Sequence, residues 1–92
     1  MNKYKIVRQF PIRVDKVIGH PPGHPPGVVV VIDYAPKEDV KFFIGKKFVV
    51  EFSDGTEKSY VVDIAKNHVT TLSLFVKNVT ISEFENASCV IF

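Results

Sequence analysis

Residues 46–64 read KKFVVEFSDGTEKSYVVDI, and the fold follows from how they alternate. Phe48, Val50 and Phe52 fall on one side of an extended chain, with Lys47, Glu51 and Ser53 on the other, because successive side chains of a strand point to opposite faces. Asp54-Gly55 then interrupts the pattern with a tight hairpin signal, expected to be a primed turn with positive φ at both central residues. The return strand resumes with Tyr60, Val62 and Ile64 against Ser59 and Asp63. Val61 breaks the rule by standing on the polar side.

The same period of two runs outward in both directions. Downstream, Lys66-Asn67-His68 reads as a turn. Leu72, Leu74 and Val76 then alternate with Thr71 and Ser73, while Phe75, like Val61, lies on the nominally polar side. The tail ASCVIF, residues 87–92, is a further short strand. Upstream, residues 4–10 and 12–18 read as two strands broken near Pro11, which cannot donate to a ladder. Residues 28–34 are apolar on both sides and suit a central strand. Two stretches, PKEDVKFF and VTISEFENA, have room for one helical turn each, with Pro36 at a first-turn position in the former. Six to seven short strands separated by turns predict an all-β fold: a small closed or nearly closed antiparallel barrel. Closure also removes the edges that such apolar strands would otherwise expose.

At 92 residues the chain reads as a single β-barrel domain over 1–92. A chain of this size buries roughly 60–70% of its unfolded surface, and with 46% hydrophobic residues, eight of them Phe, it can form a core without staples. One cysteine, Cys89, excludes an internal disulfide framework and a multi-cysteine metal site, and its place in the last apolar strand predicts a buried, inert thiol. The N-terminus has no apolar signal segment, and the longest apolar run, residues 28–32, is far short of a bilayer span. A soluble, cytoplasmic protein with no membrane role is expected.

Net charge is only +2, too little to mark a nucleic-acid binder by itself. The charge is uneven, however. Lys3, Lys5, Arg8, Arg13 and Lys16 face Asp15 alone in residues 1–20, whereas the remainder carries seven Lys against nine acids. That asymmetry admits an anionic partner near the N-terminal strands.

Residues 19–27 read GHPPGHPPG, a tandem repeat set against the valine run. Pro-Pro favours polyproline II, which turns once in about three residues and so directs His20 and His24 about 120° apart. Gly23 could bend them together and His68 could supply a third ligand, but the repeat carries no acid or cysteine, and no metal or other cofactor is expected. Pro22-Gly23-His24-Pro25 matches the loose PxxP pattern without a basic flank. The plainest reading is a proline-stiffened loop between two strands, pre-organised to touch a partner.

No chemistry announces itself. There is no G-x-S-x-G elbow, and Gly45-Lys46 lacks the rest of a phosphate loop, so no nucleotide is expected. No catalytic residue is assigned, and the chain is read as a non-enzyme.

From Phe10 to Val90 the pattern resembles the second-domain β-barrel of the translational GTPases, the elongation-factor Tu group. Phe10-Pro11-Ile12 matches an F-x-x-P-I or P-I strand start, and Gly27-Val28-Val29-Val30 a glycine before a valine-rich strand. Ile44-Gly45-Lys46-Lys47-Phe48 resembles V-G-D-x-V, Val61-Val62-Asp63-Ile64 resembles V-x-x-I, and residues 79–90 approximate the closing V-x-x-x-D-I-x-x-G-x-V-L. Ala87 stands where the family has its terminal glycine, Val69-Thr70 replace A-G-D, and the His-Pro-Pro repeat replaces a short glycine-rich turn. The resemblance implies a free-standing translation-factor barrel without the GTPase domain, a fold that in that family contacts RNA and does no chemistry.

Two functions follow as expectations. The first is a non-catalytic binding module with a protein-interaction or assembly role, through a partner protein or self-association, using the proline loop and exposed apolar residues such as Val49, Val61 and Phe75. The alternative is RNA or ribonucleoprotein binding related to translation. The residues expected to meet a partner are Arg13, Lys16, His20 and His24, with the basic pair on phosphate in the RNA case.

Overall fold

The computed structural model describes residues 2–12 and 26–92. They form seven strands: β1 (Lys3–Ile12), β2 (Gly27–Ile32), β3 (Lys47–Phe52), β4 (Glu57–Val61), β5 (Ile64–His68), β6 (Thr71–Lys77) and β7 (Ala87–Ile91). Two single 3-10 turns, Val40–Phe43 and Ile81–Phe84, interrupt them. All pairings are antiparallel, in the order β4-β3-β7-β1-β2-β6-β5. The all-β class and the curled, barrel-like sheet expected from the alternation are what the chain adopts. Among the described residues no helix is long and apolar enough to cross a membrane.

Curling is built into two strands. β1 pairs with β7 at Lys3–Lys5 and with β2 from Ile6 onward, and the register slips between Ile6 and Arg8, leaving Val7 as an extra residue. A second slip sets Glu51 opposite Cys89 but Phe52 opposite Ala87, so Ser88 is the extra residue there, its hydroxyl donating to the Glu51 carbonyl. Bulges of this kind bend a strand and increase its twist. The sheet thereby wraps around Val28, Val30, Ile32, Phe48, Val50, Leu74 and Val90. The two 3-10 turns each press one phenylalanine, Phe43 and Phe84, into that interior. Phe84 stacks on Tyr60 at 4.9 Å between ring centroids.

Several local expectations change. β1 runs unbroken through Pro11, which sits opposite Val28. Among the described residues no strand pairs with the other edge of β1 beyond Lys5, so a residue without N–H is tolerated there; residues 13–18 lie outside the described residues. The Asp54-Gly55 hairpin is present, but only Gly55 has positive φ, at 90°. The Gly55 N–H donates to the Phe52 carbonyl and the Phe52 N–H to the Thr56 carbonyl, which is a type I turn followed by a left-handed glycine rather than a primed pair. Asp54 keeps ordinary backbone and accepts instead from the Thr56 N–H and hydroxyl at 3.0 and 2.6 Å.

The return strand is also not one strand. It ends at Val61, bends at Val62-Asp63 and restarts as β5, so the expected turn at residues 66–68 is strand, and the reversal falls at Val69-Thr70. The bend flips the alternation. Ile64 therefore turns away from the Tyr60–Val62 side and packs with Phe75, Val29, Val31 and Phe10 in a second, outer cluster. Phe75, expected on the surface, is fully buried by that cluster; Val49 is half-buried, and Val61 alone of the three is exposed. Cys89, expected to be buried, is half-buried between Glu51 and Lys5 in the sheet, because it lies on the outer side of β7.

Candidate docking surface

Arg13, Lys16, His20 and His24, the residues expected to meet a partner, lie outside the described residues. Two concavities are formed by residues that are described. On the outer face, Arg8, Phe10, His68, Thr71 and Ser73 line a cleft of about 280 Å³ across β1, β2, β6 and β5. Among the described residues no three His, Cys, Asp or Glu side chains gather to hold a metal ion, so the cleft offers two basic groups over an apolar floor and no ligand set.

The larger concavity, about 460 Å³, follows from the strand order. β4 and β5 are the two outer strands of the sheet, yet consecutive in the chain, and among the described residues no ladder joins β4 to β6. The groove runs along this seam, lined on one side by residues 59–63 with Ile44 and Gly45, and on the other by residues 76–79. Its floor is apolar, because Tyr60, Val62 and Val76 belong to the barrel interior. On its rim Val61 is 54% and Ile44 49% exposed. Phe42, next along, is 53% exposed, with the Lys46 ammonium 4.0 Å above its ring.

Backbone parity determines what the seam presents. The Val62 N–H donates to the Lys46 carbonyl and the Val62 carbonyl accepts from the Gly45 N–H, at 3.0 and 2.7 Å. The Thr56 carbonyl likewise faces β3, accepting from Phe52 at 2.9 Å. Even-numbered positions of β4 therefore face β3, and Glu57, Ser59 and Val61 turn their N–H and C=O groups to the opposite edge. At the bend itself the Asp63 N–H reaches the Phe75 carbonyl at 2.8 Å, beside the Ile64–Phe75 pair that starts the β5–β6 ladder. On β6 the Asn78 N–H points the other way, to the Pro26 carbonyl, so Lys77, like Phe75, directs its backbone groups into the seam. Two strand edges thus face one another and meet at the Asp63–Phe75 hydrogen bond.

Charge around the seam is graded. Lys46, Lys47 (directly across from Val61 on β3) and Lys77 border the corner end. The Asp63 carboxylate there is held by Lys77 at 3.7 Å. At the hairpin end Glu57 stands opposite Glu51, whose carboxylate is bonded by Lys3 at 3.1 Å. That contact raises the Lys3 pKa, through the Glu51 hydrogen bond first and its charge second. The Tyr60 hydroxyl is buried and finds no hydrogen-bond partner among the described residues. Burial first, then the neighbouring Glu83 carboxylate, pushes the Tyr60 phenol above its ordinary pKa.

One sequence signal marked this place: Val61, an apolar residue on the polar side of its strand. Ile44, Lys77 and residues 78–79 carried none, because their proximity depends on the order of strands. No protein family, curated protein or solved structure matches the chain.

Proposed function

We propose that this barrel is a non-catalytic binding module whose partner is a protein, docked at the seam between β4 and β6. The observation that carries the reading is the groove itself: it lies beside the outer edge of β4, which no other described strand pairs, and it is rimmed by exposed Val61 and Ile44. Apolar surface left exposed beside an open edge is costly in a monomer and is characteristic of contact sites.

Selection of a random displayed-peptide library against the immobilised barrel, run beside a Val61→Asp variant, tests this. Peptides are expected to enrich on the native barrel and to lose binding on the variant. A parallel titration with mixed RNA at two salt concentrations covers the second reading, for which Arg8 and His68 at the outer cleft are the supporting residues. Saturable RNA binding that weakens with salt, together with no peptide enrichment, would replace the protein-binding assignment with a nucleic-acid one.

A further inference from the structure

We infer that the partner enters the seam as a single extended strand that adds to the edge of β4 left unpaired among the described residues, with its acidic residues toward the corner at Asp63. The inference rests on the protein-binding assignment and specifies its chemistry. Glu57, Ser59 and Val61 present outward N–H and C=O groups, and Lys77 presents the same from the opposite side. An extended backbone is the ligand that satisfies such groups in series, and its alternate side chains fall into the pockets beside it. Here the side chains on one side of such a strand meet the rim beside exposed Val61 and Ile44.

The convergence of the two walls argues for a lone strand. The two edges converge at the Asp63–Phe75 hydrogen bond, and β6 forms the far wall of the groove. A second copy of the barrel pairing through its own β4 would bring its β3 along on the other side, into space that β6 holds. A peptide has no such companion. Charge then sets the sequence and direction: Lys46 and Lys47, beside the Lys77–Asp63 pair, border the corner end, while Glu57 and the Glu51–Lys3 pair stand at the hairpin end. The complementary strand alternates apolar residues with carboxylates near the corner, and carries none beside Glu57.

The test uses the whole chain labelled with nitrogen-15 and carbon-13 and a short fluorescent peptide alternating valine with glutamate. Two further probes are the same peptide with alternate backbone nitrogens methylated and a valine–lysine counterpart. The first peptide is expected to bind saturably and to slow amide exchange at Ser59 and Val61, leaving Tyr60, already bonded to β3, unchanged. Backbone methylation is expected to weaken binding by about tenfold or more, since it removes edge hydrogen bonds while keeping the side chains. The lysine peptide is expected to bind more weakly, by about tenfold at low salt. Binding that shifts the Ile44 and Val61 methyl signals without protecting either amide overturns strand addition while leaving the seam as the docking surface. Binding that perturbs neither overturns both, as does failure of the glutamate peptide to bind together with an empty library selection. Failure of that peptide alone, with library peptides still binding the seam, overturns only the acidic-strand assignment.

Discussion

Val69 shows at the scale of one residue how much strain this fold tolerates. It is 85% exposed with φ of 64°, in a region that a β-branched side chain enters at a cost of about 1–2 kcal/mol. A hydrogen bond from the Thr70 N–H to the His68 carbonyl, and another from the Val69 N–H to the Asn67 side chain, hold it there. Val69→Asn keeps both bonds and adopts the left-handed region readily, so it should stabilise the barrel by about 1 kcal/mol, measured as a raised denaturation midpoint. Tyr60 carries a different cost. Its buried hydroxyl has no hydrogen-bond partner among the described residues, and such groups cost about 1–3 kcal/mol. Tyr60→Phe is therefore expected to leave stability unchanged or raise it by about 1 kcal/mol, and a lower melting temperature would show that the hydroxyl is satisfied in solution. Asp54 supplies the titration. The Thr56 hydroxyl first, and then the Thr56 N–H, hold its carboxyl below the ordinary pKa. A group whose folded pKa is depressed contributes stability above its unfolded pKa and loses it as pH falls through the folded value. Melting temperatures followed from about pH 6 to about pH 2 should fall less steeply for Asp54→Asn than for the native chain. The Glu38 carboxyl, held down by local backbone N–H groups and by the Tyr34 hydroxyl, adds to the slope with the same sign in both.

Elements were legible where one period of two ran undisturbed between two turns. Phe48, Val50 and Phe52 pointed inward as their spacing required, and so did Leu72, Leu74 and Val76. The reading failed where a strand changed neighbours. Val62-Asp63 moves the chain from the ladder with β3 to the ladder with β6, and a bend there inverts which parity faces the core, so Ile64 was assigned to the wrong side. Nothing in VVDI distinguishes a bend from two more residues of strand. Phe75 failed for another reason: both faces of β6 are covered, one by the barrel interior and one by Phe10, Ile64, Val29 and Val31, and alternation presumes that one face meets water. The contact between β2 and β6 also sets a sharp requirement. A Cβ on Gly27 would collide with the Val76 carbonyl and lie 2.9 Å from Lys77 Cα and Phe75 Cε1. Gly27→Ala must push the two backbones apart, and a loss of about 1–3 kcal/mol is expected by chemical denaturation. Gly45→Ala meets no such obstacle; its cost comes only from a positive φ of 81°.

The described residues form one sheet in which β1 and β7, the first and last strands in chain order, are neighbours. Lys3 pairs with Ile91 and Lys5 with Cys89, while β1 also carries β2, so one strand holds both halves of the curl. Strand order of this kind is invisible to local pattern, which is why the seam could not be anticipated even though each strand beside it was. It also governs how the fold is reached. The β3–β4 and β5–β6 hairpins close over short loops, but the junction of β1 with β7 joins positions separated by nearly the full sequence, and such distant closures slow folding. During refolding, the valine-rich β2 and the apolar β7 therefore wait, unshielded, for β1 to arrive. Dilute conditions should favour recovery for that reason, since chains that meet in that interval can pair with one another instead.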